Sequence, residues 1–130
     1  MSKEIVAFCC EHSAYPAADL AGKLRLDCPE NLRVIQIPCA GRVDVIHILK
    51  AFERGATSVL VLGCEDGACR HITGNTRAKE RAKYSEMLLK EVGMDNRTVE
   101  MLNLAPNEPH KFARAANEIT KRIKESEEAR

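Results

Sequence analysis

Ser58-Val59-Leu60-Val61-Leu62-Gly63 decides the architecture. A near-continuous apolar run of strand length, closed by glycine, is the pattern of a central parallel strand covered on both faces. A strand with one wet face would alternate instead. Working outward, Glu4-Ile5-Val6-Ala7-Phe8 predicts a first strand, Arg33-Val34-Ile35-Gln36-Ile37-Pro38 a second, and Thr98 to Leu104 a fourth. In the fourth, Val99, Met101 or Leu102, and Leu104 are expected to be buried. Pro29-Glu30-Asn31-Leu32 reads as the turn into the second strand.

Helical stretches fall between these runs. Ala14 to Asp27 carries Pro16 in its first turn, with Ala18, Leu20, Ala21 and Leu24 on its apolar side. A second helix, from about Val43 to Arg54, has Val45, Ile46, Leu49 and Phe52 as its stripe and Gly55 as its stop. A third, from about Asn75 to Val92, has a weak stripe (Ala78, Ala82, Leu88, Leu89, Val92) and ends at Gly93. Pro106 to Pro109 opens the last helix, where Phe112, Ala116, Ile119 and Ile123 recur at helical spacing. From Glu125 onward no apolar anchor remains, so fraying is expected. The order βαβαβαβα, with crossovers long enough for parallel pairing, predicts an α/β fold. It is a small doubly wound, flavodoxin-like sheet of about four parallel strands flanked by helices, in a single domain over residues 1–130.

Charge narrows the function. Twenty Lys plus Arg against nineteen Asp plus Glu leave a net charge of +1. That balance gives no electrostatic case for a nucleic-acid or anionic-membrane partner. No apolar run approaches the ~20 residues that span a bilayer, so no membrane insertion is expected. Met1-Ser2-Lys3-Glu4 leads straight into a strand, without the basic-then-apolar pattern of a secretion signal, so a cytoplasmic location is expected. There thiols stay reduced, and six cysteines point to metal or redox chemistry rather than to structural disulfides.

Four of those cysteines follow strand-like runs. Cys10 comes after the first strand, Cys39 after the second, and Cys64 after the third, with Cys69 in the same loop as Cys64. Ligands of open parallel sheets bind outside the carboxyl ends of the strands, so these thiols are expected to converge on one edge. A single cysteine is more often a small core hydrophobe, and Cys28, between a helix and a Pro turn, fits that description. Strand alternation points Cys9 and Cys10 to opposite faces, so one of the two is expected at the common site.

Four thiolates complete the ligand set of a 2Fe–2S or 4Fe–4S centre, and also that of tetrahedral zinc. Structural zinc sites usually bring two close pairs, whereas here only Cys64 and Cys69 are close. Their four-residue gap matches the first step of plant-type ferredoxin spacing, C-x4-C. Gly67 between them would let backbone amides turn toward the sulfur core. Two rivals stand beside the cluster: an interaction module held by structural zinc, and a redox sensor in which Cys64 and Cys69 form a disulfide. A phosphatase-type C-x5-R loop is rejected, because counting from Cys9 reaches Tyr15 and from Cys10 reaches Pro16. Without the arginine, the thiolate lacks the cation that lowers its pKa and binds phosphate.

Neighbouring residues have plainer roles. Arg42, Arg70 and His71 would place positive charge beside an anionic cluster, or simply be solvated. His12 and His71 are possible ligands, not needed where four thiols suffice. His47 is expected on the surface or as a satisfied core histidine. Tyr15 and Pro16 are expected to shape the first loop, and Asp19 and Asp44 to sit at helix starts.

Several segments together resemble a known family. These are Ile5-Val6-Ala7-Phe8, Tyr15, Ala18-Asp19-Leu20-Ala21-Gly22, Pro38-Cys39-Ala40-Gly41-Arg42-Val43-Asp44, and Ile48-Leu49-Lys50-Ala51-Phe52 with Gly55-Ala56. Further along, Val59-Leu60-Val61-Leu62-Gly63-Cys64, Gly67-Ala68-Cys69 and Gly74-Asn75 continue the likeness. Over about residues 5–93 the chain resembles the delta subunit of methyl-viologen-reducing hydrogenase. The resemblance implies an iron–sulfur protein with one 2Fe–2S cluster on Cys10, Cys39, Cys64 and Cys69. It implies electron relay from a nickel–iron hydrogenase, or another donor, to the flavin subunit of heterodisulfide reductase. Such complexes perform electron bifurcation in strict anaerobes, in methanogenesis, and the delta subunit does no bond chemistry of its own. One departure stands out: family members usually carry a second cysteine three positions after the first, where this chain has Ser13. If that cysteine is obligatory, Ser13 or Cys9 would have to replace it; four thiolates remain without it.

Overall fold

The computed structural model describes residues 4–39, 43–63, 74–93 and 97–128, with 74–77 and 124–128 as backbone only. The order is β1 (Glu4–Cys10), α1 (Ala14–Lys23), β2 (Leu32–Ile37), α2 (Val45–Glu53), β3 (Ala56–Gly63), α3 (Gly74–Glu91), β4 (Thr98–Asn103) and α4 (Pro109–Glu128). All four strands are parallel in one sheet, ordered β2-β1-β3-β4. This is the doubly wound α/β arrangement that the sequence predicts.

Burial explains the pattern of each strand. β1 and β3 are central and buried almost throughout, which their continuous apolar runs require. β2 and β4 are edges, and β2 is largely exposed. Alternation sorts the side chains of the central strands into two cores. Ile5, Ala7, Leu60 and Leu62 pack under α1 and α4 with Ala17, Phe112 and Ile119. Val6, Phe8, Val59 and Val61 pack under α2 and α3 with Ile48, Phe52, Ala82 and Leu89. Val99 in β4 and Leu104 just past its end are buried as expected, while Met101 and Leu102 are both half-buried against opposite cores.

Helix ends follow local chemistry. Gly55 (φ 107°) and Gly93 (φ 82°) adopt left-handed backbone just beyond α2 and α3, as terminating glycines do. The end of α1 differs from expectation: it stops at Lys23 rather than Asp27. Leu26 N–H donates to Ala21 O (3.0 Å) and Arg25 N–H to Gly22 O (3.1 Å). That bond pair is a Schellman motif, with Arg25 (φ 56°) in the left-handed place usually taken by glycine.

Three stripe assignments are corrected. In α1 the buried residues are Ala14, Ala17 and Ala21, while Leu24, past the helix end, is exposed. In α2 the buried residues are Ile48 and Phe52, and Ile46 is exposed. In α3 Ala78, Ala82, Ser85 and Leu89 are buried, and Val92 lies exposed beyond the last turn. α4 keeps its predicted stripe but runs on to Glu128, past the point where the sequence predicts fraying. Among the described residues no helix is long and apolar enough to cross a membrane.

Candidate metal centre

The strand order sets a crevice. β1 connects to a helix on one face and β3 to a helix on the other, so the chain diverges between their carboxyl ends. Ligand sites of open α/β sheets lie at such switch points. Cys10 ends β1 there, beside Gly63, which ends β3; in register, Cys9 pairs with Leu62 and Cys10 with Ile37.

Backbone bonds hold the first two cysteine loops together. Glu11 N–H donates to Ile37 O (2.8 Å), carrying the β1–β2 pairing one residue past the strand. The Cys10 thiol then lies 3.9 Å from the carbonyl oxygen of Pro38, the residue before Cys39. Both cysteines are buried. Gly63 O is tied in turn by Leu104 N–H (2.8 Å), which fixes the end of β3. Two soft donors at a shielded strand edge suit a thiolate-ligated centre.

The other expected ligands, Cys64 and Cys69, lie outside the described residues, as do Gly67, Arg42, Arg70 and His71. Among the described residues no group of three or more His, Cys, Asp or Glu side chains could hold a metal ion. Of the four expected thiols, the described residues include Cys10, at the end of β1, and Cys39, two residues past the end of the neighbouring β2.

Cys9 does not join them. It packs into the α1–α4 core, where burial, and secondarily the neighbouring Cys10, pushes its thiol up to about 12. A protonated thiol in an apolar core is a hydrophobe rather than a ligand. Cys28 is partly exposed, and burial followed by the charge of Asp27 also raises its pKa. Ser13, at the place of the family's second cysteine, is buried, and its N–H donates to Cys10 O (3.3 Å). It is the N-cap residue of α1, but its side chain does not cap the helix.

Nearby polar residues resolve into structural roles. His12 pairs with Glu11 (3.3 Å). Tyr15 and Pro16 lie in the first turn of α1 rather than in a loop. Asp44 does cap α2: its Oδ1 accepts from Val45 N–H (2.7 Å), and Asp44 N–H donates to His47 Nδ1 (2.9 Å), closing a capping box. Asp19 is not at a helix start; it sits within α1, paired with Lys23 (3.2 Å). One contact carries no sequence signal: Arg81 of α3 donates to Val43 O (3.0 Å), pinning the backbone just before α2. An arginine on a charge-rich helix looks like any solvated residue until the helices are packed.

A doubly wound α/β domain with buried cysteines at or just past the ends of two neighbouring parallel strands is the class of protein the described residues define. The chain belongs to the family of the methyl-viologen-reducing hydrogenase delta subunit, whose sequence profile matches residues 5–126. It is 40% identical over 123 residues to an iron–sulfur subunit of the vhu F420-non-reducing hydrogenase of Methanocaldococcus jannaschii, covering 95% of this chain and 92% of that one. The corresponding vhu iron–sulfur subunit of Methanopyrus kandleri is 40% identical over 127 residues, covering 96% of each. A much longer protein matches too. One of the subunits of the ferredoxin/F(420)H(2)-dependent CoB-CoM heterodisulfide reductase of Methanosarcina acetivorans is 38% identical over 121 residues, covering 93% of this chain but 15% of that protein.

Proposed function

We propose that this chain is a cytoplasmic electron-transfer subunit with one 2Fe–2S cluster held by Cys10, Cys39, Cys64 and Cys69, in a single domain spanning residues 1–130. The observation that carries the reading is the approach of Cys10 to the Pro38–Cys39 peptide at the carboxyl edge of the sheet. When bound, such a cluster supplies one-electron transfer, at a potential set by charge, hydrogen bonds and solvent exposure. The chain's own part is to hold thiolates rigidly and keep water off them, which the burial of Cys10 and Cys39 supports. Ser13 and Cys9 are spectators in this reading.

The donor is a hydrogenase and the acceptor the flavin subunit of a heterodisulfide reductase. The relatives named as hydrogenase iron–sulfur subunits support the first. The heterodisulfide reductase protein of Methanosarcina acetivorans supports the second, because the matching stretch is part of that longer chain. A segment joined covalently to a protein works at high effective concentration beside it, so a separate chain of this family is expected to dock in the same place.

Iron and acid-labile sulfide are measured on protein purified without oxygen. Equal amounts of both, with a visible absorbance that bleaches on reduction, are expected. Zinc without sulfide would replace the reading with a structural-zinc module. Metal-free protein with a reversible Cys64–Cys69 disulfide would replace it with a redox sensor.

A further inference from the structure

The sheet has more surface on one face than its helices cover. α2 and α3 sit over β1, β3 and β4, and of the edge strand β2 Ile37 packs against that core while Arg33 and Ile35 stay exposed. The result is a groove of about 210 Å³ between α2 and β2. Its floor is apolar, formed by Val6 and Phe8 of β1 and by Ile35 of β2, which is 36% exposed. Its rim is basic. Glu4 and Arg33 neutralise one another through a 2.8 Å ion pair. Lys50 and Arg54 line the opposite wall and make no ion pair among the described residues. Ile46, one turn before Lys50, adds an exposed apolar side chain beside them.

We propose that this groove and the open edge of β2 form a docking site for an extended, acidic and amphipathic segment of a partner polypeptide. Apolar side chains of the segment would cover exposed Ile35 above the largely buried Val6 and Phe8, and its carboxylates would meet Lys50 and Arg54. The occupant is a polypeptide for two reasons. An edge strand offers main-chain N–H and C=O groups that an added strand satisfies. Two cations above an apolar floor also lack the extended basic stripe that a phosphodiester backbone or an anionic bilayer requires. Electrostatic complementarity of this kind chooses partners and speeds encounter more than it adds affinity. The groove lies close to the thiols: Phe8 is two residues before Cys10, about 7 Å along the strand. A partner seated here would therefore flank the proposed centre. The site does not depend on what the thiols bind.

The test uses the full chain, 15N-labelled, and two fluorescein-labelled synthetic peptides of alternating valine with either glutamate or lysine. Expected is binding of the glutamate peptide, with amide shifts confined to Val6, Phe8, Ile35 and Ala51, and an affinity that falls as salt rises. The double variant Lys50→Glu/Arg54→Glu should weaken it at least tenfold while unfolding at the same denaturant midpoint. Ile35→Ser should weaken it without changing the salt dependence. Equal binding of the lysine peptide, shifts elsewhere, or no binding at millimolar peptide would overturn the proposal. So would concentration-dependent dimerisation through the same amides, which would assign the groove to a second copy of this chain. Iron content, measured on the same samples, reports separately on the cluster.

Discussion

Cys9 and Cys10 are consecutive in the chain and separate in chemistry. Cys9 is fully buried among Ala7, Ala14 and Leu62 beneath α1 and α4, while the Cys10 sulfur meets the Pro38 carbonyl at the carboxyl edge. A one-residue step along a strand turns the side chain to the other face. The same step carries a thiol from the α1–α4 core to the carboxyl edge of the sheet.

Metal content should follow that division. Cys10→Ala and Cys39→Ala are expected to lose iron and sulfide together, whereas Cys9→Ala, Cys28→Ala and Ser13→Ala keep them at the parental level. Iron and sulfide assays on the five variants, prepared without oxygen, check this. Retention of iron in both of the first two would remove the cluster from this edge.

The Cys9 thiol gives a pH signature. Its pKa is raised from 9.0 to about 12 in the folded chain, so its contribution is complete below pH 9 and fades between pH 9 and 12 as the unfolded thiol ionises first. Urea midpoints should therefore fall less steeply above pH 9 in Cys9→Val than in the parent chain. At pH 8 iodoacetamide should label Cys28 in native protein well before Cys9, and both once urea has unfolded it.

Arg81 should act as a positioning residue for Val43 and the start of α2. Removing its hydrogen bond to Val43 O in Arg81→Met is expected to cost about 1.5–3 kcal/mol, the range for a hydrogen bond from a charged donor. Faster amide exchange at Val45 and Ile46 separates this from a general loss of stability, which would speed exchange in β3 equally.

Backbone handedness predicts opposite signs at two helix ends. Gly55→Ala forces an L side chain into left-handed backbone and should cost about 1 kcal/mol, although nothing crowds the position. Arg25→Gly relieves the same penalty where a side chain already bears it. It should be neutral or stabilising by up to about 1 kcal/mol. Denaturant unfolding of the pair checks both signs.

Packing should separate residues that look alike in sequence. Leu60→Ala, in the middle of β3, is expected to cost about 2–5 kcal/mol, and Ile46→Ala, exposed on α2, within about 0.5 kcal/mol. Equal losses would mean that Ile46 is covered in the folded chain.

Much of the fold is readable locally. Continuous apolar runs mark β1 and β3 as central, and Gly55 and Gly93 mark the ends of α2 and α3. Where local reading fails, longer-range geometry intervenes. Leu24 fits a helical stripe until a Schellman turn ends α1 one residue earlier, and Ile46 fits one until α2 is rotated onto β3. The candidate site is legible as far as strand ends are legible: Cys10 and Cys39 fall at or just past the ends of β1 and β2, with the Cys10 thiol against the Pro38 carbonyl, while Cys64 and Cys69 lie outside the described residues. Arg81 and the groove beside β2 give no local sign.

The amino-acid sequence by itself determined the alternation of strands and helices, the parallel class of the sheet and the placement of thiols after strands. Each of these is written in the spacing of neighbouring residues. Tertiary structure alone decided that β1 lies between β2 and β3, that Cys9 enters a core while Cys10 reaches Pro38, and that Ile35 of β2 is left exposed in a groove with Lys50 and Arg54. Those outcomes depend on which elements become neighbours across the sheet, and chain spacing does not encode that adjacency.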